Sequence, residues 1–548
     1  MKKKFFGIFT FLFSFLMLFS CKKEKEGVLR IGLECNYDPF NWTEGVENDY
    51  TLPIANKQGK FADGYDINLA KRLSSELNVN VEIMQYEWDS LIIELLNKNI
   101  DLIIAGMTDT PERRKSIDFT DEYYRSELVL VTKVDYAEAN KDKVLNSDEL
   151  ETLLENKYVV SQISTLTDYI IIDLFAPKFG ANHVNPLDSF ALAANSVKLG
   201  TNFAMTAELP VATSIVNNNK ELGIIHIDQN ILSDYQGEFG VSIGLRKGED
   251  ELKNKINQVL KNYSKEDREK DMVGAVSRAA GDVDTNKSDL ERIFGKKEYV
   301  NWLFEGLAGT IVLSIVGTFL GLFLGIFLAL GKNVTISKQD STLMKIVKVP
   351  VKGLCNLYSV IIRGTPMMVQ ALVFQFVCQL CSLNWNTVLT DVAIFNGWFI
   401  AGCIIITFNT AAYMSEIIQS GLNGIDRGQR EGALSLGFSQ NRSLLLVELP
   451  QAIKNSIPTI GNEWIVNIKD SSVLNVISVT ELFFMAKTIA GATYIYLTTY
   501  LIIAAMYLCL TMIATLILKL VSMKLSGKKM TLSIKNFLFH FKKSPSKE

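Results

Sequence analysis

VLRIGLE (28–34), GYDINLAKRLSSELN (64–78), VNVEIMQY (79–86), DSLIIELLNKN (89–99) and DLIIAGM (101–107) decide the fold of the first half of the chain. The short apolar runs read as strands, and the two longer segments between them carry apolar residues at helical spacing. Strand, helix, strand, helix, strand implies an α/β sheet with crossover helices. The style returns after Lys133, with YVVSQ (158–162) and GIIHID (223–228) among helical stretches. Two α/β lobes over residues 28–263, joined by crossing strands around a cleft, are the expectation. Ligands in such sheets sit beyond the carboxyl ends of strands, so the residues after each strand are the ones to inspect.

The second half has a different character. At 548 residues the chain is long enough for two or three domains, and its long apolar runs fall in the last 250 residues or so. About 20 apolar residues span a bilayer. Gly306–Gly331, Gly364–Thr390, Val392–Ser415 and Thr488–Leu518 are uncharged and long enough, and a weaker fifth span lies between Pro450 and Val479, interrupted by Glu463, Lys469 and Asp470. Lys332, Lys338, Lys345, Lys348, Lys352 and Arg363 crowd one loop, Arg427, Arg430, Arg442 and Lys454 a second, and Lys519, Lys524, Lys528 and Lys529 the tail. The opposite loops are nearly free of cations, with Lys487 the exception. The positive-inside bias then predicts five transmembrane helices over 301–524, the first domain outside, and a basic cytoplasmic tail over 525–548. Residues 245–300 are charged and helix-friendly. Their first part is expected to close lobe one, and 264–300 to form a linker that is barest at GDVDTNKSDLERIFGKK (281–297). A short tether gives an effective concentration on the order of millimolar.

The ends and the rare residues add bounds. Met1-Lys2-Lys3-Lys4 followed by an apolar stretch to Phe19 reads as a signal peptide over 1–20. Leu18-Phe19-Ser20-Cys21 resembles a bacterial lipobox, which would make Cys21 a lipidated N-terminus; the alternative is an uncleaved signal anchor. Of seven cysteines, Cys21 belongs to that motif, Cys35 stands alone in the first domain and five lie in the membrane part, so no disulfide framework is implied. The three histidines lack metal-ligand spacing, and a net charge of −3 gives no sign of nucleic-acid binding.

At the strand ends the first domain resembles the polar amino-acid-binding proteins of ABC importers, the bacterial extracellular solute-binding proteins of family 3. The resemblance rests on Glu34-Cys35-Asn36-Tyr37-Asp38-Pro39-Phe40, Gly64-Tyr65-Asp66, Trp88-Asp89-Ser90, the run from Asp101 to Arg114 and Ile117 to Tyr124. It continues more loosely through Gln162-Ile163-Ser164-Thr165 and Glu208-Leu209-Pro210. It implies a type II periplasmic-binding-protein fold holding an amino acid ligand. Arg113 matches the family's carboxylate clamp, and a planar guanidinium is the cation that grips a carboxylate bidentately. Backbone N–H groups near Thr108 and Thr165 complete the anion cradle. The Gly106 carbonyl, the Thr108 hydroxyl and Glu208, where the family most often has Asp, accept from the α-ammonium. Tyr37 and Trp88 match the aromatic walls. Glu34 faces the ligand side chain. A carboxylate beside aromatic rings suits a basic amino acid through charge pairing and cation–π contact, and equally accepts hydrogen bonds from glutamine or another polar neutral residue.

The membrane half resembles polar amino-acid permeases (histidine/glutamine type), through Arg363-Gly364-Thr365-Pro366, through Gly428 to Gly437 with Glu448-Leu449-Pro450-Gln451-Ala452, and through Lys469-Asp470-Ser471-Ser472. Gly432 replaces the middle alanine of the family's EAA loop, at about 0.5–1 kcal/mol of helix stability. The resemblance makes Gln429, Glu431, Ala433, Gly437 and Pro450 the docking loop for a cytoplasmic ABC ATPase. The sequence has no GxxxxGK[ST] phosphate loop, so a separate subunit must hydrolyse ATP. Two permease copies are expected to make the pore, within membrane lipid. Charges within a span are functional suspects: either Glu463 lines the translocation path, or Lys469 and Asp470 simply pair near the interface. No cofactor and no catalytic constellation is read. The rivals are a ligand-gated channel and a dehydratase-like enzyme on the same two-lobed fold. In the channel the spans would interrupt the receptor, and in the enzyme a fused permease would be unexplained.

Overall fold

A computed structural model describes residues 27–57, 59–235, 240–280, 287–336, 340–380 and 397–525. The expected signal peptide, Cys21, and the tail beyond Leu525 lie outside the described residues. The chain forms two compact units, one built from 1–309, 371–402 and 474–503, the other from 310–370, 403–473 and 504–548.

In the first unit two sheets carry the two lobes. Lobe one has the order Asn80–Gln85, Val28–Leu33, Leu102–Ile103, Gly240–Leu245, Asp118–Arg125. The first three strands run parallel, with Tyr65–Leu77 and Leu91–Leu96 as crossover helices, and Gly240–Leu245 is antiparallel to both neighbours. Lobe two has the order Val144–Leu145, Leu222–Ile227, Leu128–Lys133, Ala204–Glu208, Tyr158–Val160, Asn182–His183. The chain crosses between lobes at 126–127 and returns between Ile227 and Gly240. Side chains alternate across a strand, and Leu128–Lys133 uses both faces. Val129 and Val131 enter the core shared with lobe one, and Leu128 and Leu130 enter a separate core in lobe two, all fully buried.

The sequence reading places the linker too early. Lys265–Ala279 is a helix, N-capped by the Ser264 hydroxyl, and its Met272 and Ala275 are buried in the lobe-one core. Arg278 clamps Asp63 with Nε–Oδ2 at 2.9 Å and Nη2–Oδ1 at 2.8 Å. Asp289–Phe294 is helical too, with a capping box of Ser288 and Glu291. A receptor domain cut at 263 would lose the Arg278–Asp63 pair together with the buried Met272 and Ala275, a loss of about 3–5 kcal/mol. An excised 27–263 domain is therefore expected to melt about 10 °C below an excised 27–280 domain. Equal melting temperatures by differential scanning calorimetry would show the helix to be dispensable.

In the second unit, helices pack through small and polar residues. Gly317, Gly321 and Gly325 form a stripe that brings Lys297–Lys332 against Ile406, Thr410 and Met414 of Gly397–Asn423. Asn467 accepts from Thr410 Oγ1 at 3.0 Å and donates to Thr318 Oγ1 at 2.9 Å. Among the described residues three helices are long and apolar enough to cross a membrane: Lys297–Lys332, Gly397–Asn423 and Tyr496–Lys524. The number rises to five if two bent pairs each count as one span. One pair is Thr342–Gly364 with Met367–Cys378, bent by 112°; the other is Gln440–Ile477 with Leu482–Thr493, bent by 54°. The expected span Thr488–Leu518 is broken, because Tyr494 takes a left-handed conformation (φ 58°) that ends Leu482–Thr493 before Tyr496–Leu525 begins.

Candidate functional site

One cavity between the lobes is lined by Glu34, Tyr37, Trp88, Gly106, Thr108 and Arg113 of lobe one, and by Gln162, Thr165, Leu166, Phe190 and Glu208 of lobe two. All eight residues singled out as ligand contacts in the sequence meet there. Most stand at or just past a strand end or at a helix start, and Arg113 lies on the short helix Pro111–Arg114. Glu34 follows Val28–Leu33, Glu208 ends Ala204–Glu208, and Thr165 caps Leu166–Ile170 with its hydroxyl accepting from Asp168 N at 3.3 Å.

Arg113 is held by acceptors from both lobes. Nη1 donates to the Thr108 carbonyl at 2.7 Å and Nη2 to the Ser164 carbonyl at 3.0 Å, with the guanidinium carbon 5.2 Å from the Trp88 ring centroid. Burial lowers its pKa to about 10, which leaves it cationic at neutral pH. Tyr37 donates to Glu208 Oε2 at 2.8 Å, a second bridge between the lobes. Burial raises the Glu208 pKa while the Tyr37 hydrogen bond holds it down. The Tyr37 ring stacks on Phe40 at 5.1 Å and on Phe190 at 5.2 Å. Gly106 lies directly beneath that ring: its φ is +60°, and a Cβ there would stand 2.6 Å from Tyr37 Cε1. Burial, with Glu87 beside it, raises Glu34 to about 8 against the opposing pull of Lys487 and a hydrogen bond from Gln162.

Sequence reasoning passed over Gln162, Leu166 and Phe190 as cavity walls. It also gave no role to Asp66, which organises the floor. Asp66 accepts from Asn41 Nδ2 and from the Tyr123 hydroxyl, each at 2.8 Å. Tyr123 in turn accepts from Gly106 N at 2.9 Å, and Asn41 accepts from Cys35 N at 2.8 Å. One fully buried carboxylate thus fixes the backbone at both Gly106 and Cys35.

In the second unit the expected docking loop forms a helix, Arg427–Ser435, with Asp426 Oδ1 accepting from Gly428 N at 2.7 Å. It ends in a Schellman turn: Phe438 N donates to the Ala433 carbonyl at 3.1 Å and Gly437 N to the Leu434 carbonyl at 2.9 Å, with Gly437 at φ +84°. Ala433 is buried, Gln429 and Glu431 are exposed, and Leu436 is 80% exposed. Gln451, next to Pro450 at the start of Leu449–Asp470, donates to Gln429 Oε1 at 3.1 Å and ties the loop helix to the long one. Glu463 stands half-buried on Leu449–Asp470, which carries exposed Lys469 and Asp470 at its end.

Residues 29–273 match the model of the bacterial extracellular solute-binding proteins, family 3, and residues 321–527 that of the binding-protein-dependent transport system inner membrane component. An arginine transport system permease protein of Bacillus subtilis (strain 168) is 34% identical over 229 residues, 42% of this chain and 94% of that protein. A glutamine transport system permease protein of Escherichia coli (strain K12) is 33% identical over 159 residues, 29% of this chain and 68% of that protein. A crystal structure of an amino acid ABC transporter substrate-binding protein from Streptococcus pneumoniae, bound to L-arginine, covers 46% of this chain and 95% of its own. Its identity is 24% and its TM-score 0.38.

Proposed function

The chain belongs to the binding-protein-dependent transport system inner membrane components and carries a family 3 solute-binding domain ahead of its permease, and from that premise we propose that it imports an amino acid with a cationic side chain. It is the fused receptor and permease of an amino acid ABC importer, and neither half is an enzyme. The observation that carries the finer reading is the charge of the cleft: Arg113 alone is positive, and Glu34 and Glu208 are acidic. Arg113 takes the α-carboxylate, and Glu208, Thr108 and the Gly106 carbonyl take the α-ammonium. Glu34 is left over for a side-chain cation, beside aromatic faces. The arginine transport permease among its relatives agrees with this; the glutamine transport permease suits the alternative, in which a protonated Glu34 donates to a side-chain amide.

These two readings differ in their proton balance. Burial holds Glu34 at about 8, so at neutral pH it is largely protonated. A cation needs the carboxylate, so its binding releases a proton below that value. Affinity for arginine should therefore rise with pH and level off above about 8. Calorimetry in two buffers of different ionisation enthalpy measures that proton directly. Glu34→Gln should weaken arginine about 10²-fold and flatten the pH profile. Glutamine binding with no proton released would reverse the substrate choice and leave the importer in place.

For the rest of the machine we infer five spans with the receptor on the extracytoplasmic side and the basic tail inside, which the Lys and Arg bias supports. Receptor 28–280 and permease 301–524 are its parts. The partners are an ABC ATPase on the Arg427–Pro450 loop, a second permease copy, and lipid, with Cys21 as a further anchor. Ligand closes the lobes, the closed receptor presents the ligand to the permease, and ATP-driven motion of the partner enters through that loop.

A further inference from the structure

Glu34 has a second side. Besides the ligand cavity it lines a small adjoining cavity, bounded by Gln85, Glu87 and Asp188 of the receptor and by Phe484, Lys487 and Thr488. The last three belong to Leu482–Thr493, a helix of the permease sequence that lies against the receptor within the first unit. The seating is close: Lys57 Nζ donates to the Ser478 carbonyl at 2.8 Å, and Gly491 leaves no room for a Cβ beside Asn36. Lys487 Nζ stands 2.8 Å from Glu87 Oε2. So three carboxylates, Glu34, Glu87 and Asp188, gather behind the cleft, and the one ammonium lining this cavity comes from the permease segment. The buried Gln85 Oε1 has no hydrogen-bond partner, while its Nε2 donates to the Glu34 carbonyl at 3.1 Å.

We propose that Lys487 is a substrate-release residue, a tethered ammonium that replaces the substrate's side-chain cation as the counter-charge of the Glu34 pole when the receptor sits on the permease. The inference rests on the reading that the substrate is cationic. A loaded cleft holds Glu34 ionised by the ligand's charge. If the ligand leaves with no cation nearby, three acidic groups remain together, and like charges in a partly desolvated site repel strongly. Lys487 supplies positive charge from the far side of Glu34 and lowers the proton affinity of that carboxylate, so less of the charge lost with the ligand has to be made good by a proton. It also repels a cationic ligand directly and leaves a neutral one unaffected. Lys487 is a positioning group for charge and touches no reacting atom.

The test uses the full chain in lipid nanodiscs, one pH unit above the value of about 8 for Glu34, so that this carboxylate is mostly ionised in the wild-type chain. Radiolabelled arginine is the probe, with glutamine as neutral competitor, on wild type, Lys487→Met and Lys487→Arg. Lys487→Met should slow arginine dissociation and tighten Kd about tenfold, with glutamine unmoved and Lys487→Arg like wild type. With the ATPase partner in liposomes, Lys487→Met should lower both KM and kcat for arginine uptake, since a substrate held too well leaves slowly. An arginine Kd within about twofold of wild type in Lys487→Met overturns the proposal, as does an equal shift for arginine and glutamine, the mark of a pair that only docks the domain. A wild-type chain that binds glutamine and no cationic amino acid would overturn the substrate reading itself, before any variant is compared.

Discussion

Replacing Arg113 by alanine is expected to lower amino-acid affinity by roughly 10³-fold or more while the receptor keeps its fold. Two losses combine. The α-carboxylate loses its bidentate partner in a buried cleft, and truncating one member of such a pair costs about 2–5 kcal/mol or more. The closed form also loses a tie between the lobes, because the same guanidinium donates to Thr108 O at 2.7 Å and to Ser164 O at 3.0 Å across the cleft. Folding should be spared. Arg113 sits on the short helix Pro111–Arg114, which has no buried residue and is capped by Thr110. Arg113→Lys separates charge from shape: an ammonium keeps the charge but cannot span both carboxylate oxygens, so a loss of about 10–10² is expected. Titration calorimetry on an excised 27–280 domain, beside its melting curve, measures both effects. A folded Arg113→Ala domain that binds within tenfold of wild type would remove Arg113 from the site.

The cleft was legible where a residue's chemistry and its place after a strand agree. Glu34, Gly106, Thr108 and Glu208 stand at or just past strand ends, where a doubly wound sheet presents its ligands. Phe190 was not, for a physical reason. It opens the helix Phe190–Lys198 behind the Ser189 cap, and an apolar residue at the start of an alanine-rich helix reads as core. It reaches Tyr37 only because two lobes far apart in sequence come together. Asp66 escaped for the opposite reason: an acid in the first turn of a helix is accounted for by the helix dipole, and its long-range partners Asn41 and Tyr123 leave no local trace.

The fold misreadings share one cause, that composition is silent about narrow contacts. KEDREKDMVGAVSRA looks solvated because only Met272 and Ala275 of that helix are buried, yet the Arg278–Asp63 pair fastens it to lobe one. A uniformly apolar run from Thr488 to Leu518 hides the reversal at Tyr494, where neither glycine nor proline marks the turn. That break matters, since it frees Leu482–Thr493 to lie on the receptor and carry Lys487 to Glu87.

Gly437→Val should cut ATP-driven uptake on the order of 10²-fold and leave amino-acid binding at the wild-type level, because small misplacements of a working element cost that much. Gly437 holds φ +84° at the end of Arg427–Ser435, where its N–H and that of Phe438 close the helix onto Leu434 and Ala433. A β-branched residue pays roughly 1–2 kcal/mol there, enough to open the turn. Opening it redirects the exposed Leu436 and loosens the helix that presents Gln429 and Glu431, while Ala433 stays packed beneath. Glu431→Lys tests the same surface without touching the backbone, since it reverses an exposed charge on a helix whose cap and buried side are unchanged. Both variants should separate ligand-stimulated ATP hydrolysis from ligand binding when the two are measured on one liposome preparation with the ATPase partner. Wild-type stimulation in both would show that the force enters the permease elsewhere, and a parallel loss of ligand affinity would mean that the loop acts on the whole fold rather than on the coupling.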